Sequence, residues 1–581
     1  MSSPDPKDYP RLRRERTVTE EGVVPIAPHL APPSPVSTLN ISTSSSGTTS
    51  STRGIEFTSS SPTPASPRST PLGGWRYYHG LPSKPILLAS SRQVAQPTGT
   101  FDHPETQALF HVLRQHSLVP VWEAVALDVM NTIDRVSPAG GRYTIDPVRI
   151  GSSEGTSRTV IWIGTPPEAV TKEMAEEIIQ GSLAACRRWN VVDINIEVKT
   201  TRSYRQALLM SPNTIPPTMV KLADPFCSTM GTPISCSETP IFVGTAAIAV
   251  EIAGRPTLSL LTCKHNLTQD FASEREIDSS DPAPAVHLHT QVTLDDSYNE
   301  IQSEADFYWS LIPPAQIDLA QAQISGVDVE LYQDKLAALV DKRNLRLNLL
   351  ASLNAQFPLV LPQDHHPPLV IPSPIIGKVL MHPPLVYGCR GPNIEPGRQG
   401  YTQDFAFIET EMTLANVPRV NAINLGDELE LKLLVNAMPK CRPELHPKAA
   451  ANRYLYSTAE YLSRSQLLDD PVAVLKRGHR TGLTVGFTNT LASKIRDINP
   501  VTEKETWSTE VGVIGWQKAF SDGGDSGSMV VTRDGTLVGL LTAGSPPYEA
   551  RDISYVTPYF FLKERWEALG LVVTVPVSTY P

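Results

Sequence analysis

The chain has 581 residues, 40% of them hydrophobic, and a formal net charge of −10. That length exceeds one hydrophobic core and suits two to four domains, and the acidic balance offers no general field for nucleic acid or an anionic membrane. No apolar run approaches a membrane span, the charged N-terminus MSSPDPKDYPRLRRERTVTE lacks the apolar core of a secretory leader, and Cys186, Cys227, Cys236, Cys263, Cys389 and Cys441 show no zinc or redox spacing. A soluble protein of a reducing compartment, cytoplasm or nucleus, is expected, with no metal, cofactor, nucleic-acid or membrane partner.

Residues 1–73 are rich in Ser, Thr and Pro, as in STSSSGTTSSTRG. They carry too little apolar surface to offset ordering entropy, so a disordered tail is expected. Order begins near Gly74. ETQALFHVLRQH and VWEAVALDVMNTIDRV read as helices, RYTIDPVRIG and RTVIWIG as strands, EAVTKEMAEEIIQGSLAACRRW as a long amphipathic helix, and VVDINIEVKT as a strand. This pattern predicts a small α+β domain over 74–205 without a phosphate loop or ligand cluster. A polar linker over 206–239 follows. From about 240 to 570 the texture is short β runs, broken by a helical insertion at about 327–356, before a C-terminal tail over 571–581. The insertion's Leu336, Leu339, Val340, Leu347, Leu350 and Leu353 form an apolar stripe for packing within the chain or against a second copy. The oligomeric state stays open.

Chemistry is concentrated in three places. FSDGGDSGSMVV presents Ser526 in a Gly-rich turn before strand-forming residues. A serine needs an oriented base. TAAIAVEI, the turn AGRP and TLSLLT form a hairpin that ends at Lys264-His265 and would hold His265 rigidly. The base in turn needs a carboxylate. YTQDFAFIETEM places Asp404 just before an apolar strand; the rival is Asp306 in EADFYWSLI, 41 residues after His265. Local pattern favours Asp404. His287 to His289 and His365-His366 could suggest a metal enzyme, but they sit in Pro-rich, loop-like stretches without matching carboxylates.

LTCKHNL resembles the TAAHC region of trypsin-like serine proteases, QDFAFIE their DIALI segment and GDSGS their GDSGG, in the order His, Asp, Ser of the chymotrypsin fold. GTLVGLLTAG resembles the strand lining their cleft, and DISYVTPYFF their last strand entering the C-terminal helix. The blocks WRYYHGLPSKP, RTVIWIG, IGKVLMHPPLVYG, TQDFAFIE and KRGHRTGLTVGFTN resemble a group of fungal proteins with an α+β region before a trypsin-like domain, and more distantly plant proteases of the NAL type.

The resemblance implies an all-β double barrel after the α+β domain, with His265 as base, Asp404 as its orienting acid and Ser526 as nucleophile. The N–H groups of Gly524 and Ser526 would form the oxyanion hole. Asp525 would brace the loop. The pocket would be built from Phe520, Thr542 and Gly544, and the bulk of Phe520 implies a small or apolar residue before the scissile bond. Protein or peptide would be the substrate. Asn266 and Asp522 stand where secreted relatives carry disulfide cysteines, and no activation cleavage site is recognisable, so zymogen control is not expected. The alternative is a catalytically latent binding protein on the same fold, suggested by the helical insertion and by FPLVLPQDHHPPLVIPSP.

Overall fold

A computed structural model of the chain describes residues 77–92, 99–100, 103–104, 106–138, 141–166, 169–200, 208–209, 228–240, 242–288, 291–326, 329–356, 375–392, 399–417, 419–425, 454–516, 518–545 and 552–578. The expected disordered tail, His365-His366 and the Pro-rich stretch 357–374 lie outside these residues. The described chain is mostly β-sheet with few helices, and its sheets curl into half-barrel shapes.

In chain order the first elements are β1 (Leu87–Ser90), β2 (Ala108–Phe110), α1 (Trp122–Val136), β3 (Tyr143–Gly151), β4 (Arg158–Thr165), α2 (Lys172–Arg188) and β5 (Asn195–Thr200). Trp122, Val125, Ala126, Val129, Met130 and Ile133 are buried along α1, the spacing of one helix face. The side chain of Thr171 caps α2 by accepting from the Met174 N–H. The two helices approach so closely that a Cβ on Gly181 would lie 2.4 Å from Thr132 Cγ2. The helix expected over ETQALFHVLRQH is instead β2 followed by turns. There Ala108, Leu109 and Phe110 pair with Gly151, Ile150 and Arg149 of β3, so sheet pairing overrides the local helical pattern.

Next come β6 (Thr232–Cys236), β7 (Phe242–Ala246), β8 (Ala249–Ile252), β9 (Ser259–Thr262), β10 (Ala285–Leu288), helices α3 (Gln291–Ser325) and α4 (Val329–Gln356), then β11 (Ile375–Met381), β12 (Val386–Cys389), β13 (Tyr401–Gln403) and β14 (Ala406–Thr410). The last stretch holds α5 (Arg464–Asp469), β15 (Ala473–Gly478), β16 (Gly482–Thr488), β17 (Ser493–Ile498), β18 (Glu505–Gly515), β19 (Met529–Thr532), β20 (Leu537–Ser545), β21 (Ile553–Pro558) and α6 (Tyr559–Ala568).

A nine-stranded sheet runs β8-β9-β14-β11-β10-β6-β7, with Val573–Thr574 beside β8 and Leu208–Leu209 beside β7. It includes β6, which falls in the stretch expected as linker. A fourteen-stranded sheet runs β1-β5-β4-β3-β17-β18-β16-β15-β19-β20-β21, with β2, β12 and β13 off that path. The α+β elements and the C-terminal strands therefore share one sheet, joined where Tyr143, Thr144 and Ile145 of β3 face Arg496, Ile495 and Lys494 of β17. Side chains reinforce the seam. Trp122 Nε1 donates to the Ala492 carbonyl at 2.8 Å, Lys494 Nζ reaches Glu123 at 2.8 Å, and Arg496 meets Asp134 at 2.6 Å and Glu505 at 2.8 Å.

The long helix α3 was not expected, since Pro313 and Pro314 stand in its middle and read as a break. Helices α3 and α4 pack along each other. Leu350 is buried and Leu336, Leu339, Val340 and Leu347 are half-buried, so most of the insertion's apolar stripe is used within the chain. At the other end, Trp566 of α6 packs against Phe405 and Phe407, tying α6 to β14.

Candidate active site

The β9–β14 register decides where His265 sits. Thr262 faces Ala406 and Leu261 faces Phe407, so the chain leaving β9 runs beside the chain entering β14. His265 lies in the 3-10 turn Lys264–Asn266 directly after β9, and Asp404 lies two residues before β14. His265 Nδ1 and Asp404 Oδ2 are 2.6 Å apart, with both side chains wholly buried. Asp404 Oδ1 also accepts from the His265 backbone N–H at 3.3 Å. A carboxylate on Nδ1 leaves Nε2 as the nitrogen available for proton exchange. Asp306 is elsewhere: it sits exposed on α3 and accepts from Gln302 at 3.1 Å.

Ser526 reaches the same place through its main chain. Its carbonyl accepts from the Thr245 N–H at 2.9 Å and from Asn266 Nδ2 at 2.8 Å, one residue beyond His265. Thr245 Oγ1 donates to the Gly524 carbonyl at 2.8 Å, and the Gly527 N–H donates to the Leu541 carbonyl at 2.8 Å. Gly527 has φ +90°, and a Cβ there would fall 2.1 Å from the Thr245 oxygen and 2.8 Å from Asn266 Nδ2. Only glycine fits that close approach. Ser526 Oγ and His265 Nε2 are both buried and have no hydrogen-bond partner among the described residues. They make no hydrogen bond to each other.

The loop's N–H groups can be accounted for one by one. Gly523 donates to Asp522 Oδ1, Asp525 to the Asp522 carbonyl, Gly527 to Leu541 and Ser528 to Asp525. Among the described residues, the N–H groups of Gly524 and Ser526 have no acceptor. These two were expected to receive an oxyanion.

The three residues expected at the pocket lie apart from one another in role. Phe520 is 1% exposed and packs with Val474, Val513, Val530, Val538 and Leu541 in a hydrophobic core. Thr542 is buried, with its hydroxyl 3.4 Å from that of Thr557. Gly544 lies opposite Ser554 in the β20–β21 ladder, and Ser554 Oγ is 2.6 Å from Ser521 Oγ.

Sequence reasoning missed four polar supports: Thr245, Thr262, Asn266 and Lys476. Thr262 Oγ1 donates to the Thr245 carbonyl at 2.8 Å and accepts from Asn266 Nδ2 at 3.0 Å, so Thr245, Thr262 and Asn266 form a polar triangle. Lys476 Nζ donates to Asp525 Oδ2 at 3.0 Å, with both side chains wholly buried. The one available signal was a lysine inside the apolar run VAVLKRG.

For a metal, Cys263, His265 and Asp404 offer ligand atoms within 4.8 Å of one another, the donor types of a zinc site. Among their bonds are the His265–Asp404 pair and a contact from Cys263 Sγ to the Leu541 carbonyl at 3.4 Å. The four described cysteines, 186, 236, 263 and 389, are all free thiols. A cleft of about 750 Å³ lies instead on the nine-stranded sheet, lined by Thr232, Leu260, Ile376, Lys378, Glu409 and Met412; it contains none of the residues just described. No helix among the described residues is long and apolar enough to cross a membrane. The chain matches no family model and no curated protein.

Proposed function

We propose that the chain is a serine endopeptidase of the trypsin-like class, its two curled sheets acting as the facing barrels of a chymotrypsin-type cleft. The observation that carries this reading is the buried 2.6 Å bond between His265 Nδ1 and Asp404 Oδ2, with the Ser526 carbonyl held by Asn266 beside it. Ser526 Oγ attacks the carbonyl carbon of a peptide bond, and its proton passes to His265 Nε2. Asp404 holds the ring and stabilises the imidazolium. The oxygen's new charge falls to the N–H groups of Gly524 and Ser526. Collapse breaks the C–N bond, and the leaving amine takes the proton from His265. Water then repeats the sequence on the acyl-enzyme and frees Ser526. Catalytic hydrogen bonds are often long or unformed in unliganded sites and tighten around a substrate, which fits the absence of a Ser526–His265 bond.

Incubation with an unbiased peptide library tests this directly. The wild-type chain should cleave, and Ser526→Ala or His265→Ala should lower kcat by about 10⁴-fold or more without unfolding the protein. Cleavage by Ser526→Ala at the wild-type rate rejects the reading.

The second reading is a latent protease fold that binds partners. It is favoured by the complete burial of the Ser526 and His265 side chains. Here the folded wild-type chain cleaves nothing in the library and captures peptides without turnover.

A further inference from the structure

The carboxylate immediately before Ser526 accepts five hydrogen bonds. Asp525 is wholly buried and accepts from Lys476 Nζ at 3.0 Å, the Arg480 N–H at 2.6 Å, the Thr481 N–H at 3.1 Å, Thr481 Oγ1 at 2.7 Å and the Asp522 N–H at 3.0 Å. Lys476 leads these partners in holding the carboxyl well below the usual range, against the effect of burial. Lys476 itself has no aqueous exposure; its other hydrogen-bond acceptors, Thr481 Oγ1 and the Gly482 carbonyl, belong to the same turn, and its ammonium lies 5.9 Å from the Phe520 ring centroid. The turn between β15 and β16 is shaped around the carboxylate: a Cβ on Gly478 would lie 2.3 Å from Asp525 Oδ1.

A buried lysine and aspartate are costly to desolvate and are weak evidence for stability as such. What this pair fixes is conformation. The loop Asp522 to Ser528 contains three glycines, two of them at positive φ, and carries no apolar side chain of its own. Drawing Asp525 inward onto β15 sets the peptide planes on either side of it. The plane after Asp525 carries the Ser526 N–H, and the Gly524 N–H lies on the plane one residue further back; neither has an acceptor among the described residues.

We propose that Lys476 is a positioning residue, an internal counter-cation that holds the 522–528 loop in the shape its nucleophile and oxyanion donors require, so that the intact chain is competent without cleavage. The proposal rests on the protease reading for its consequence but not for its structural content. Lys476→Met keeps the length of the stem and removes the charge. Asp525 retains four donors in that variant, so the fold should survive; Thr481→Val, which removes one hydroxyl donor, gives a milder second case.

Two measurements are made on the full-length, uncleaved chain, its integrity checked by intact mass. Amide hydrogen exchange over 520–528 reads the loop, and the rate of fluorophosphonate labelling reads the nucleophile. In Lys476→Met, exchange should speed at least tenfold in this loop and stay unchanged in β3 and β4. Labelling per folded molecule should slow on the order of a hundredfold, with a smaller loss in Thr481→Val. Unchanged loop exchange in Lys476→Met overturns the proposal, whatever the labelling does. So does an uncleaved wild-type chain that labels only after proteolysis. A wild type that never labels while its loop still loosens in Lys476→Met defeats the protease reading and leaves the positioning role of Lys476 supported.

Discussion

At the residue scale the site depends on a few buried polar groups, each with a defined job. Asp404→Asn should keep the ring's position while disturbing its tautomer, lowering kcat by about 10³–10⁴-fold with little change in the thermal midpoint. Asn266→Ala removes the donor shared by the Ser526 carbonyl and Thr262, and leaves both buried. It should cost about 1–3 kcal/mol of stability by denaturant unfolding, and slow labelling as well. The meeting of His265 with Asp404 was legible because one follows and the other precedes a strand-like run, and Ser526 was singled out by the short Gly-rich turn before another. Lys476 and Thr245 were not legible. Their roles arise from long-range pairing, Lys476 across 49 residues to Asp525 and Thr245 across 279 to Gly524, and nothing local marks such a partner. Phe520 shows the reverse. A fixed offset from the serine suggested a pocket wall, while packing places the ring in the core.

At the element scale, the insertion and the seam lead to opposite predictions. His287 of β10 pairs with Ile375 of β11, so the chain leaves the sheet and returns to it at one point. Replacing 289–374 by a Gly/Ser turn of about four residues should therefore preserve the fold and shift the thermal midpoint by only a few degrees. Circular dichroism melting of the excised form checks this; a loss of the cooperative transition would show that the helices support the sheet. Removal of residues 1–205 should behave differently. It strips β3 from β17, exposes a strand edge and leaves Arg496 and Lys494 without Asp134 and Glu123. That fragment should be insoluble or aggregate. Strands β3, β4, β5, β8, β9 and β14 and the two α+β helices could be read from the residue pattern alone. The strand β2 and the helix α3 could not, because cross-strand pairing in one case and a Pro-Pro pair in the other contradict the local pattern. The shared sheet was invisible for the same reason: the register of β3 on β17 links residues about 350 positions apart, beyond any local signal.

At the scale of the whole molecule, buried titratable groups set how stability follows pH. Burial first, then Lys264 and Arg275, push the His382 ring down to about 4 from 6.5. Between these values the unfolded chain takes up a proton that the native ring refuses, so stability falls as pH drops from 6.5 to 4, by up to about 3 kcal/mol. His382→Gln should flatten that acid limb in urea unfolding measured across pH. Lys199 lies buried with its ammonium 3.2 Å from the Trp162 ring centroid, facing Asp146 and Asp552. Burial lowers its pKa to about 8 from 10.5, so the charged form opposes folding below 8 and that penalty is relieved as pH rises towards 10.5. Lys199→Met should remove this alkaline rise. Whether Ser526 Oγ is an activated nucleophile is read by fluorophosphonate labelling of the purified full-length chain beside Ser526→Ala, with the modified peptide located by mass spectrometry. A single adduct on Ser526 is expected in the wild type and none in the variant. An adduct on another residue, or equal labelling of both proteins, contradicts it.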